Sequence, residues 1–307
     1  QAKMTLVAQA EKPAATAARS FIGIAPRAEA VVIPICALLA GFALFSIFLL
    51  MVGKSPVTFY QLVWKAGFSS AFSWQNTLSR VAPLVLAALC VALPARLGLV
   101  VIGGEGAIVL GGLAAAVAGT AVAGMPAAFG MATMAIAAMI VGGVWIGAVG
   151  ALRIKRGVNE TIASLLMAYI AIALLNHFVE GPFRDPASLN KPSTVPLTES
   201  LRVGDMPFLP SHWGILAGVL ACLFAWVLIE RTTLGFAARI AGDNVRAAQV
   251  QGLPVGRLVI GFTALGGAFA GLAGYFEVAA VHGSANASLI AGYGYTGILI
   301  AFLARHN

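Results

Sequence analysis

Apolar residues along this chain come in long blocks separated by short polar breaks. The stretch AVVIPICALLAGFALFSIFLLMVG, residues 30–53, carries no charge at all. As a helix, about 20 such residues cover the ~30 Å hydrocarbon core of a bilayer. Blocks of this kind predict helices over 30–53, 80–94, 97–122, 129–152, 160–180, 212–229, 257–281 and 292–304. The second is short and contains Pro83 and Pro94. The expected fold is therefore all-α: a polytopic transmembrane bundle of about eight helices.

Two polar breaks are long. Residues 181–211 hold six prolines (Pro182, Pro186, Pro192, Pro196, Pro207 and Pro210), which argues against a regular helix and predicts an ordered external loop. Residues 230–257 show helical spacing around FAARIAGDNVRAAQVQG and end at Gly252 and Pro254, a helix-stop signal.

Composition agrees with the pattern. Of 307 residues, 60% are hydrophobic and only 10% charged, against about 25% charged in an ordinary soluble domain. Mean hydropathy is +0.93. Too few charges exist to cover a water-facing surface. The formal net charge of +8 does not mark a nucleic-acid binder, because the basic residues form short clusters between apolar blocks and no continuous face. They do set orientation. With a cytoplasmic N-terminus, the 19 Lys and Arg residues divide into thirteen inside and six outside, as the positive-inside rule requires. Residues 1–29 are then a cytoplasmic tail and 30–307 the membrane domain. The first block is too long for a signal-peptide core. The chain opens at Gln1, with a methionine only at Met4, which points to a processed or artificial start. It stops at LIAFLARHN, where a helix reaches a basic boundary, which points to an incomplete C-terminus.

Catalytic and metal-binding patterns are missing. VGKS, residues 52–55, lacks the glycine that a phosphate loop needs five positions before Gly53; Phe48 stands there. Neither HExxH nor GxSxG occurs. His177 and Glu180 are too few to hold a metal, and Cys36, Cys90 and Cys222 are expected to be buried free thiols. The sequons NET, residues 159–161, and NAS, residues 286–288, carry no weight. What remains is LVVIGGEGAIVLGG, residues 99–112, with Glu105 alone in an apolar run beside Gly103, Gly104 and Gly106. At about 1.5 Å per residue, a helix from Leu97 puts Glu105 near the bilayer middle. A charge there costs about 2.5–3.5 kcal/mol and demands a cavity or a partner. The glycines suit either close packing or a broken helix lining a solute path. Glu277 is expected near the outer boundary, either on the solute path or merely solvated in a vestibule. Gly143/Gly147 and Gly267/Gly271 fit tight helix–helix contact.

Three ordered stretches carry a resemblance: IGGEGAIVLGG; RGVNETIASLLMAYIA with GPFRDP after it; and GLAGYFEVAAVHGSANASLIAGYGYTGILIAFLARHN. From about Thr77 to Asn307 the chain resembles permease subunits of bacterial ABC importers in the branched-chain amino acid, ribose and nucleoside group, closest to the nucleoside or simple-sugar branch. The resemblance implies a coupling helix in the inner loop, with Gly242, Asn244, Ala247, Ala248 and Gly252 on the family's G-x-N-x-x-A-A-x-x-x-G pattern. Asp243 and Arg246 supply polar contacts there. It also implies ATPase subunits, an extracytoplasmic solute-binding protein, a second permease (identical or related), membrane lipid, a small-molecule solute, the inner membrane as location, and no cofactor. Gly103, Gly104, Glu105, Gly106 and Glu277 are the candidate solute path. Val101 and Ala107 replace the asparagine and glutamine the family commonly has, which weakens Glu105 as a direct ligand. The rival is a proton-coupled secondary transporter with Glu105 as its proton site.

Overall fold

The computed structural model describes residues 26–207 and 211–304. Lys3, Lys12, Arg19 and Arg305, used above to orient the chain, lie outside the described residues. Two units are distinguished, 1–66 and 67–307.

In the first unit α1 (Pro26–Met51) is followed by α2 (Pro56–Phe68). The two are bent by 119° at a short break. Gly53 sits there at φ 73°, a left-handed conformation that glycine adopts at little cost, and Pro56 opens α2 at the position where its missing N–H costs nothing. The hydropathy pattern did not foresee α2, because PVTFYQLVWKAGF is short and mixed.

The second unit contains α3 (Ala71–Ala95), α4 (Gly104–Ala121), α5 (Ala127–Arg156), α6 (Glu160–Glu180), α7 (Gly214–Arg231), α8 (Thr233–Asp243), α9 (Val245–Val250), α10 (Val255–Phe276) and α11 (Tyr293–Leu303). Six helices, α3 to α7 and α10 with its continuation to His282, are long and apolar enough to cross a membrane; the bent α1/α2 pair makes up to seven. No strand occurs among the described residues, and the fold is the expected helical bundle. Boundaries differ from expectation at two places. The helix expected at 80–94 starts at Ala71, because Ser70 caps it by accepting from the Ser73 N–H at 3.1 Å. The helix expected at 97–122 starts only at Gly104.

α10 is the centre of this unit and α7 its periphery: 67% of the α10 span is buried against 28% for α7. Small residues let the backbones close up. A Cβ at Gly142 of α5 would lie 2.8 Å from the Gly271 Cα of α10, and one at Gly111 of α4 would lie 2.5 Å from the same atom. Gly143 and Gly147 meet Ala264 on α10, so both small-residue pairs read from the sequence lie at one seam. Ile136, Ile140, Leu166, Ile170, Leu223 and Phe224 point outward, a lipid-facing band.

Candidate functional site

Residues 99–103 approach α4 without helical structure, and α6 holds them. The Ile102 N–H donates to Ser164 Oγ at 3.0 Å, and Thr161 Oγ1 donates to the Val100 carbonyl at 3.0 Å. Glycine at 103 is required, since a Cβ would collide with the Ser164 backbone. A Cβ at Gly106 would lie 2.9 Å from the Ala168 Cα. Ala168 stands about 12 Å along α6 from its first residue, Glu160. The N-terminus of α4 therefore lies beside the interior of α6, and Glu105 is reached through a break rather than a continuous helix.

Glu105 is 1% exposed. Its Oε1 accepts from the Gly292 N–H and its Oε2 from the Gly294 N–H, both at 2.7 Å. These belong to the first turn of α11, where backbone donors have no helical partner and the helix dipole favours an acceptor. Gly292 takes φ 80°, and a Cβ at Gly294 would overlap the Glu105 backbone nitrogen. The carboxyl group thus joins the starts of two helices.

At the C-terminal end of α10 the helix widens into a π-turn, Glu277–His282, closed by Gly283 at φ 71°. Such turns are rare and recur at functional sites. Glu277 is 2% exposed. His282 Nε2 lies 3.4 Å from its Oε2. Glu277 and His282 line a cavity of about 190 Å³ together with Asn76, Arg80, Ser288 and Tyr293. His282 was not legible beforehand: five positions on, an α-helix would turn it away from Glu277, and only the wider turn brings it back.

Residues 194–203 pair through their backbone with the π-turn and the segment after it. The Thr194 N–H donates to the Ala285 carbonyl at 2.9 Å, the Leu197 N–H to Gly283 at 2.8 Å and the Val203 N–H to Ala279 at 2.9 Å. Thr194 Oγ1 accepts from the Ala285 N–H at 3.0 Å, and Lys191 Nζ donates to Ser288 Oγ. At the loop's end His212 is buried; its Nε2 lies 3.1 Å from the Ser79 carbonyl and its Nδ1 accepts from the Gly214 N–H at 3.1 Å. Burial holds its pKa below the usual value.

Residues 230–257 hold two helices, α8 and α9. Asn244 breaks them with extended backbone at φ −153° and caps α9, its Oδ1 accepting from the Ala247 N–H at 3.0 Å. Gly242 lies against the Arg96 carbonyl after α3 so closely that a Cβ there would clash. Ala248 is fully buried, while Asp243, Arg246, Ala247, Gln249 and Val250 are exposed. Gly252 ends α9 at φ 78°, the left-handed stop expected of it. Nearby, Arg153 pairs with buried Glu160 at 3.3 Å, tying the end of α5 to the start of α6.

Of the cysteines only Cys90 is buried; Cys36 and Cys222 lie on exposed apolar faces, where lipid rather than protein surrounds the thiol. No group of three or more His, Cys, Asp or Glu converges on a possible metal position among the described residues.

Comparison with known proteins places residues 73–307 in the family described as branched-chain amino acid transport system / permease component. The glucose ABC transporter permease protein TsgB13 of Haloferax volcanii is 35% identical over 89% of this chain and 74% of its own length. The guanosine ABC transporter permease protein NupP of Bacillus subtilis is 31% identical over 92% of this chain and 81% of its own. The nucleoside ABC transporter permease protein NupB of Lactococcus lactis is 24% identical over 90% and 79%. No solved structure matches the chain.

Proposed function

The chain belongs to the permease component family of branched-chain amino acid transport systems, and on that premise we propose that the solute it admits is a nucleoside, with simple sugars next. It is a multi-pass inner-membrane permease subunit of an ABC importer, with ATP hydrolysis on partner subunits and solute supplied by an extracytoplasmic binding protein. Support for the solute comes from relatives named for guanosine and nucleosides; the relative named for glucose keeps sugars as runner-up.

The observation that carries the mechanism is the cytoplasmic foot. The end of α8 packs on the loop after α3 through Gly242 and exposes Asp243, while α9 keeps Ala248 inward and turns Arg246 and Ala247 outward. Small side chains let such a helix seat closely in a groove of an ATPase subunit, and Asp243 and Arg246 supply charged contacts at its rim. Movement of the foot reaches the N-termini of α4 and α11 through the segment 96–103, where Gly103, Gly104 and Gly106 allow backbones to slide without side chains in the way. Glu105 holds these two N-termini together in the resting arrangement, and Glu277 faces the solute from outside. The binding protein docks on 181–211, and a second permease subunit, identical or related, completes the path. Residues 1–29 form a cytoplasmic tail and 30–307 the permease domain. The proton-coupled alternative has less support, since both Glu105 oxygens are already engaged by backbone donors.

The test is Ala247→Trp in the reconstituted importer. The variant inserts normally, because Ala247 is exposed, but loses solute uptake while the ATPase subunits remain able to hydrolyse ATP. Uptake equal to the unmodified protein overturns the foot.

A further inference from the structure

The outer cavity has a feature that packing alone does not produce. Glu277, buried in the π-turn, and Arg80, exposed on α3, line the same space of about 190 Å³. Yet Arg80 has no carboxylate within ion-pair distance among the described residues. Tyr293 lies close enough to feel both charges, and Asn76 and Ser288 add polar groups at the wall. Donor-only and acceptor-only groups of opposite sign thus share a cavity without a direct ion pair; the Tyr293 hydroxyl stands between them, within hydrogen-bonding reach of both, and His282 lies beside Glu277.

We propose that this cavity, between the outer half of α3 and the π-turn after α10, seats the vicinal hydroxyls of the solute's sugar ring, with Arg80 donating to them and Glu277 accepting from them. Each hydroxyl both donates and accepts, so a diol bridges a guanidinium and a carboxylate that a purely apolar or purely anionic solute would leave unmatched. The space suits one five- or six-membered ring, leaving the base to the wider path. The position fits delivery as well, because the segment carrying Ser288 is hydrogen-bonded to the external loop at Thr194 and Lys191. The inference rests on the nucleoside reading given above and deepens it: specificity resides in the sugar.

The experiment uses the permease–ATPase complex in nanodiscs without binding protein, probed by saturation-transfer NMR with inosine, 2′,3′-dideoxyinosine, ribose and leucine, alongside ATP-driven inosine uptake in proteoliposomes. The expected result is strongest saturation at the ribose protons of inosine, competition by free ribose, and binding of the dideoxy compound weaker by at least about tenfold, the loss of hydrogen bonds to charged groups. Glu277→Gln and Asn76→Ala both weaken inosine binding. Asn76 is exposed, so its variant decides the matter if Glu277→Gln does not assemble. Equal binding of inosine and its dideoxy analogue, displacement by leucine, absence of binding by every probe, or variants that bind as the unmodified complex does would each overturn the seat. ATP-driven uptake that persists beside any of these results means that the seat falls while the importer stands. Absence of ATP-driven inosine uptake removes the nucleoside reading, and the seat with it.

Discussion

Removing the Glu105 carboxyl group should release the start of α11. In Glu105→Ala the Gly292 and Gly294 N–H groups, now bonded at 2.7 Å, lose their acceptors inside the membrane. A buried donor left unmatched costs about 1–3 kcal/mol, so two give about 2–6 kcal/mol. Measured membrane-interior hydrogen bonds average only ~0.6 kcal/mol, because the unfolded reference state finds other partners, and this pulls the expectation to the low end, about 2–3 kcal/mol. Glu105→Gln keeps the size and one acceptor oxygen but presents an NH₂ to the other N–H, so roughly half of that loss is expected. Hydrogen exchange of peptides covering 290–296 reads the effect locally. Exchange there should speed up by about 30- to 150-fold in Glu105→Ala, the factor that such a local opening energy implies, with a smaller increase in Glu105→Gln. Unchanged protection in both variants would refute a latch, and normal uptake by Glu105→Gln would show that any latch is dispensable for transport.

Three further outcomes follow from packing, capping and titration. Gly142→Ala puts a methyl carbon 2.8 Å from the Gly271 Cα and should abolish assembly of the α5–α10 seam, whereas Gly261→Ala, with open space around it, should be neutral or stabilising by about 0.5–1 kcal/mol; comparing monodisperse yield and thermal midpoint checks both. Asn244→Ala removes the α9 cap at about 1 kcal/mol, and should raise exchange at 245–250 and lower uptake per ATP hydrolysed. The buried, neutral His212 accepts from the Gly214 N–H through Nδ1, so protonation there must break that bond. Its folded pKa is lowered, first by burial; the stability it contributes is therefore present above the unfolded value near 6.5 and is lost as pH falls from there through the folded pKa. Thermal midpoints measured from pH 7.5 to 5 should drop for the unmodified protein and drop less for His212→Gln.

Spans were legible because a lipid solvent imposes one strong rule, long uncharged helices, on most of the chain. α2 and the break before α4 were not, since hydropathy registers only apolarity: residues 99–103 are as apolar as a helix, and it is the contacts of Gly103 with the Ser164 backbone that hold them open. Glu105 announced itself as a group in need of a partner, but the partner is a pair of backbone N–H groups 187 and 189 residues away, and backbone donors leave no mark in composition. The helical spacing of the 230–257 loop was readable, though its division at Asn244 depends on a single extended residue. Arg80, His282 and Tyr293 come together only because of the π-turn, which side-chain periodicity does not signal.

The most direct measurement is inosine uptake into proteoliposomes holding this permease with its ATPase subunits and binding protein, followed with and without ATP and with and without a protonophore. Uptake that needs ATP hydrolysis and continues unchanged when the proton gradient is collapsed is the predicted result. Uptake that ignores the ATPase subunits and vanishes with the protonophore would contradict it.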